Sequence, residues 1–231
     1  MNDSKSIPRH IGFILDGNRR WAHSRGLPKL EGHRQGYDNL KEITKATINR
    51  GVKYVSAFIF STENWNRTHR EIKYLMELAH RMLTRDVEEL NRERIRVVWL
   101  GSRERVSSKL IRAIEKAEDI TKGNTRGTLA LCFNYGGMDE IAHATRRVAK
   151  LKIPPEEITT ETIASNLYSP EVPQLDMIIR TSGEQRLSGF MLYRAAYAEL
   201  TFVDKYWPDF SENDLDEALK DYKLRDRRFG R

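Results

Sequence analysis

FILDGNRRWA, residues 13–22, runs an apolar segment straight into an acid, a glycine, an amide and two arginines. Asp-Gly and Gly-Asn are strong turn dipeptides, so a β-hairpin at Asp16-Gly17-Asn18 is one reading. A hairpin needs a partner strand at once, and residues 19–32, RRWAHSRGLPKLEG, lack its apolar–polar alternation. The chain after Asn18 is therefore expected to be a loop or a helix, whose free N–H groups suit an anion.

Outward from that stretch, apolar runs rich in β-formers recur at 10–15, 52–60, 95–100, 128–133, 175–179 and 198–203. Between them, residues 36–50, 71–91, 104–121, 139–151 and 211–224 carry apolar positions at helical spacing. Ser211, with Asp214 three residues on, predicts an N-cap. Strands alternating with helices predict an α/β fold. The expectation is a single domain over 1–231, with a central, mainly parallel sheet of about six strands flanked by helices.

In such sheets ligands gather beyond the carboxyl ends of the strands. DGN follows the first strand, STENWNR the second, NYGG the fourth and RTSGEQRLSGF the fifth. Arg20, Arg67, Arg180 and Arg186 share that rim, with Lys29 and His33 nearby. Several guanidinium forks suit a ligand with more than one phosphate, although any single arginine is more often merely solvated. Asp16 among them would repel a diphosphate unless a cation lay between. Magnesium does this with one or two carboxylates plus phosphate oxygens. A structural Asp capping the next turn is equally open. Glu199 reads either as a second metal-side acid or as a salt-bridge partner. No nucleophile elbow, P-loop or metal spacing among the six histidines occurs. The residues alone reach magnesium-dependent handling of a diphosphate.

Composition narrows the partners. The 231 residues are 39% hydrophobic and 32% charged, with a net charge of +7. That charge admits nucleic acid, anionic headgroups or phosphorylated small molecules, but no nucleic-acid-binding signature accompanies it, so nucleic acid is not expected. The single cysteine, Cys132, lies in an apolar run and reads as a buried thiol. MNDSKSIPRH lacks the apolar core of a secretory signal, and no stretch approaches a membrane span; a cytoplasmic protein is expected.

The motifs DGNRRWA, GHRQG, FSTENWNR, NYGG, RTSGEQRLSGF, AYAEL and WPDF, in that order from His10 onward, resemble the cis-prenyltransferases, the undecaprenyl diphosphate synthase family. The resemblance implies an enzyme condensing isopentenyl diphosphate onto an allylic primer, farnesyl or geranylgeranyl diphosphate, to make a cis-polyprenyl diphosphate of undecaprenyl class for lipid carriers. It implies Mg2+ as cofactor, with Asp16 as the magnesium-associated aspartate and Glu199 as an acid near the metal. Gly17, Asn18, Arg19, Arg20 and Trp21 fall on the allylic diphosphate loop, and Lys29 and His33 on the same phosphate site. Arg180, Arg186 and Ser188 match residues that grip isopentenyl diphosphate, and Trp65 and Arg67 complete the second-strand motif. Ser61 and Asn64 match polar groups that assist proton removal. Arg228 and Gly230 resemble an Arg-x-Gly motif that completes a neighbouring subunit's site, which implies a homodimer. The lipid product implies loose association with the membrane surface. A hydrophobic tunnel for the growing chain also follows, although an apolar helix face such as that of 71–91 is otherwise simply core.

Some positions depart from the common bacterial pattern. Arg19 and Ser182 replace glycines, as in archaeal and eukaryotic members, and raise geranylgeranyl diphosphate as the primer. Lys29 replaces an arginine, keeping the charge but losing the fork. Ile59, at a tunnel-wall position often occupied by alanine, favours a shorter product. Gly127, where a bulky residue often plugs the far end, points the other way. The alternatives are a non-catalytic partner subunit, which typically lacks the counterparts of Asp16, Arg180 and Arg186, and a short-chain synthase. A phosphohydrolase fits the bare chemistry but not the motif set.

Overall fold

His10–Ile14 (β1) is buried at every position, as an unbroken apolar run requires. Ile11 and Phe13 enter one hydrophobic core and Ile14 the other, because successive side chains leave a strand on opposite faces. The computed structural model describes residues 7–225. Its further strands are β2 (Tyr54–Ser61), β3 (Ile95–Leu100), β4 (Gly127–Tyr135), β5 (Met177–Thr181) and β6 (Glu199–Val203). They form one sheet in the order β3-β4-β2-β1-β5-β6. Every pairing is parallel, so the expected α/β sheet is met without an antiparallel strand.

The helices are α1 (Asn18–Ser24), α2 (Lys29–Asn49), α3 (His69–Arg81), α4 (Val87–Arg92), α5 (Ser108–Thr121), α6 (Gly137–Lys150), α7 (Thr160–Ala164) and α8 (Glu212–Leu224). α2 starts well before the predicted residue 36. Its Gly32 and Gly36, poor helix formers, concealed the first turns. Both are needed for close packing on α1: a Cβ at Gly32 would lie 2.0 Å from the Asn18 carbonyl oxygen, and one at Gly36 2.1 Å from Asn18 Oδ1. The single helix expected over 71–91 is interrupted by a π-helical turn, Met82–Asp86. α5 opens four residues late, where Ser107 caps it by accepting from the Leu110 N–H. The Ser211–Asp214 capping box forms as predicted.

Helices α2, α3, α4, α5 and α8 bury Leu40, Leu75, Leu90, Leu110 and Leu215 against one face of the sheet. The other face is covered by Val172, Leu175, Phe190 and Met191. The two neighbours of β1 set the functional geometry. β1 leads through α1 and α2 to β2 on one side, whereas β5 lies on its other side and leads outward to β6. The carboxyl ends of β1 and β5 therefore flank a crevice at a point where the connections diverge, the usual place for a ligand in an open α/β sheet. Among the described residues no helix is long and apolar enough to cross a membrane.

Candidate active site

β1 delivers Asp16 to this crevice, and β5 delivers Arg180. Asp16 Oδ1 accepts from the Gly17 N–H at 2.7 Å and from Arg20 Nη2 at 3.4 Å, while Oδ2 accepts from Arg180 Nη2 at 2.8 Å. Gly17 has φ 97°, and a Cβ there would lie 2.7 Å from the Tyr206 ring, so only glycine lets the turn close. Partial burial works against ionisation of Asp16. The Arg180 hydrogen bond, the Gly17 N–H and the Arg20 charge outweigh it and hold the carboxyl below its ordinary range.

Arg180 is itself buried, and it also donates to the Ser188 hydroxyl at 2.9 Å and to the Arg186 carbonyl. Its Nε has no protein partner. The loop that returns these acceptors holds Ser182, Ser188 and Met191 at positive φ beside Gly183 and Gly189. Such conformations cost roughly 1–2 kcal/mol per non-glycine residue and are tolerated where surrounding contacts over-determine them. One such contact runs from the α6 start, where the Gly137 N–H donates to the Gly189 carbonyl at 2.7 Å.

A cavity of about 220 Å³ opens from the crevice. Asp16, Asn18, His33, Ser61, Asn64, Arg67, Arg180 and Ser188 line it together with apolar Leu40, Phe58, Ile59, Leu75, Leu78 and Met82. A second cavity of about 530 Å³ adjoins it, lined by Gly17, Arg19, Arg20, Lys29 and His33. The apolar lining comes from α2, α3, the π-helical turn and β2, so this part of the cavity lies between helices and sheet. Ser61 and Asn64 are locked in a reciprocal capping box at the end of β2, with Ser61 N–H donating to Asn64 Oδ1 at 3.3 Å.

The residues present fit a magnesium ion only as a bridge to a ligand. Asp16 is a partly exposed carboxylate with lone pairs to spare, which suits one protein oxygen plus phosphate oxygens. Among the described residues no group of three or more His, Cys, Asp or Glu side chains could cage a metal.

Residues 14–230 match the Prenyltransf family, undecaprenyl diphosphate synthase. The chain belongs to this family. The isoprenyl transferase of Thermotoga maritima is 46% identical over 229 residues, covering 97% of each chain. The Thermobifida fusca protein named trans,polycis-polyprenyl diphosphate synthase ((2Z,6E)-farnesyl diphosphate specific) is 43% identical over 228 residues, 97% of this chain and 81% of that one. Lavandulyl diphosphate synthase from Lavandula x intermedia, solved in complex with dimethylallyl diphosphate, matches with a TM-score of 0.93 at 35% identity, covering 97% and 99%. The protein is thus a prenyl-transferring enzyme of the cis type.

Four of the expected site residues of the prenyltransferase do not line either cavity. Trp21 lines neither cavity: its Nε1 donates to Asp209 at 2.7 Å and Arg25 stacks on its ring, pinning α1 to the WPDF turn. Trp65 donates to Asn134 at 2.7 Å and packs edge-on against Phe60, anchoring the turn after β2. Arg186 meets the crevice only through its backbone carbonyl and through Glu184. Glu199 opens β6 opposite Met177, at the amino end of the sheet, and pairs with Arg225 at 2.9 Å. Within one chain it is not brought to Asp16. Arg228 and Gly230 lie outside the described residues.

Two acids absent from the expectation complete the site. Glu71 Oε1 bonds both His33 Nε2, at 3.1 Å, and Arg67 Nη1, at 2.9 Å. Thr68-His69-Arg70-Glu71 has the pattern of a helix capping box, which disguised a side chain that turns inward instead. Burial depresses the His33 pKa, and Arg67 and Arg19 add to this; the Glu71 contact opposes them without reversing the shift. Glu184 bridges Arg20, at 3.0 Å, and Arg186, at 2.5 Å. Both arginines are thereby held at the crevice by a carboxylate that a diphosphate could replace.

Proposed function

We propose that the crevice holds two diphosphates side by side: isopentenyl diphosphate near Arg180, Arg186 and Ser188, and an allylic primer near Gly17–Arg20, Lys29 and His33. The observation that carries the proposal is one cavity with Asp16, Arg180 and Ser188 among its polar lining and Leu75, Leu78 and Met82 as apolar walls. In the condensation an allylic carbon–oxygen bond breaks, a carbon–carbon bond forms and a proton leaves the isopentenyl unit. Arginines from separate loops stabilise the diphosphate charge as that bond breaks, and juxtaposition supplies the attack geometry. Bound Mg2+, held through Asp16 and phosphate oxygens, would add Lewis-acid stabilisation of the leaving group. Ser61 and Asn64, fixed by their mutual hydrogen bonds, present a hydroxyl and an amide where the proton must leave.

Each isoprene unit buries five carbons, worth about 4 kcal/mol at ~0.8 kcal/mol per carbon, so the intermediate stays in the apolar cavity between additions. We take the product to be a cis-polyprenyl diphosphate released at a membrane surface from a cytoplasmic enzyme. A homodimer is supported by β6, an edge strand that exposes its own Leu200 and is preceded by the exposed Tyr197. The test is incorporation of labelled isopentenyl diphosphate with Mg2+ and, separately, geranyl, farnesyl and geranylgeranyl diphosphates. Long cis products with one preferred primer are expected. No incorporation by folded protein would move the non-catalytic partner reading to first place.

A further inference from the structure

α3 and its π-helical turn carry two opposed stripes. Leu75, Leu78, Ala79 and Met82 face the reaction cavity. Lys73, Met76, His80, Arg81, Thr84 and Arg85 recur at three- and four-residue spacing and line a separate groove of about 550 Å³ against α5. Lys109 of α5 adds a fourth Lys or Arg, and Glu77 is the one carboxylate in the lining. Lys73, Arg81, Arg85 and Lys109 are exposed. None of the four forms an ion pair among the described residues, whereas Lys41 and Lys45 of neighbouring α2 pair with Asp86 and Glu89. Met76 is half-buried between the cations, and Leu110 is buried at the base of the groove.

We propose that this groove docks the protein on a membrane carrying anionic phospholipid headgroups, with the bilayer held against the outer side of the helix that walls the chain cavity. The inference rests on the proposed polyprenyl product. A chain of many isoprene units has no favourable route into water, and a bilayer seated on α3 would lie one helix away from the apolar lining of the cavity. Charge complementarity selects the anionic surface: four exposed cations against one carboxylate, each acting within a Debye length of the headgroups.

The experiment is flotation of the full chain, without substrates, on phosphatidylcholine vesicles with and without phosphatidylglycerol. Binding is expected only to the anionic vesicles, falling as salt is raised. Arg81→Glu with Arg85→Glu should weaken it by about tenfold or more. Arg146→Glu with Arg147→Glu on α6 makes the same change in net charge and should leave binding intact. Absence of binding by the unaltered chain would overturn the proposal. So would equal loss in both double variants, or release by inorganic phosphate beyond that of sodium chloride at matched ionic strength. Chain elongation in detergent, assayed separately on each variant, keeps a failure of the proposed chemistry distinct from a failure of the docking surface.

Discussion

Arg180 reaches from β5 to donate to Asp16 beyond β1, Nη2 to Oδ2 at 2.8 Å. The Arg180 side chain is 4% exposed, while that of Asp16 is 30% exposed. The buried member is thus the cation, and the more open acid is the one a ligand can approach. Asp16→Asn keeps the shape and removes the charge. Turnover should fall by at least about a hundredfold, in the range for loss of one preorganised charge at a reacting centre. Arg180 keeps the Arg186 carbonyl and Ser188 hydroxyl, so the stability loss should stay near 1–3 kcal/mol. Steady-state kinetics beside thermal melting separates the two effects, and near-normal turnover would remove Asp16 from the metal-side role.

Glu71 touches neither cavity's diphosphate region directly; it holds His33 and Arg67, which do line the cavity. It is a positioning residue. Glu71→Gln should raise KM for the allylic primer by about tenfold with a smaller change in kcat, the signature of lost uniform binding. It should also lower the His33 pKa further, because the Glu71 contact is what raises it. Titration of the His33 ring by NMR reads that shift, and an unchanged ring pKa would show that Glu71 acts only through packing.

The sheet was legible because buried parallel strands write themselves as unbroken apolar runs, as at 10–15 and 128–133. The cavity's polar rim was legible for a related reason: strand ends at 16, 61 and 180 carry residues no core would accept. Helix starts were less so, since Gly32 and Gly36 look like breakers until the Asn18 contact is seen. Glu71 hid inside a capping pattern, and Glu199, at the start of β6, stands at the amino end of the sheet within one chain because β6 runs parallel to β5. A Cβ at Gly127 would meet Ile48 Cδ1 at 2.7 Å, a contact that the sequence around residue 127 does not reveal.

His10 is wholly buried on β1, with Nδ1 donating to the Pro173 carbonyl at 3.0 Å and Nε2 accepting from the Ser56 hydroxyl at 2.7 Å. Burial, chiefly, lowers its pKa from 6.5 to about 4. Because the folded value is the depressed one, the unfolded chain binds the proton more readily between those limits. The contribution is complete above pH 6.5 and is lost as pH falls towards 4, about 3 kcal/mol in all and roughly 2 kcal/mol by about pH 5. Urea unfolding at about pH 7.5 and about pH 5 measures it. His10→Asn, which cannot titrate, should flatten that pH slope even though it is less stable throughout; an unaltered slope would assign the acid sensitivity to other groups.

Ile59 stands between two spaces. It lines the reaction cavity beside Ala79 and Met82, and with the same two residues it bounds a small apolar void of about 10 Å³ walled by Leu83, Trp99, Ile114, Leu131 and Phe133. Ile59, Ala79 and Met82 are the side chains that border both the void and the cavity. Ile59→Ala should join the two and lengthen the product by one or more isoprene units, at a stability cost of about 2 kcal/mol for a half-buried site. Ile59→Val, which removes a single methylene, should shift the distribution less. Chromatography of products at saturating isopentenyl diphosphate reads the outcome. Graded lengthening across the two variants would make Ile59 the stop on chain growth, whereas an unchanged distribution in both would place the stop in another wall of the cavity.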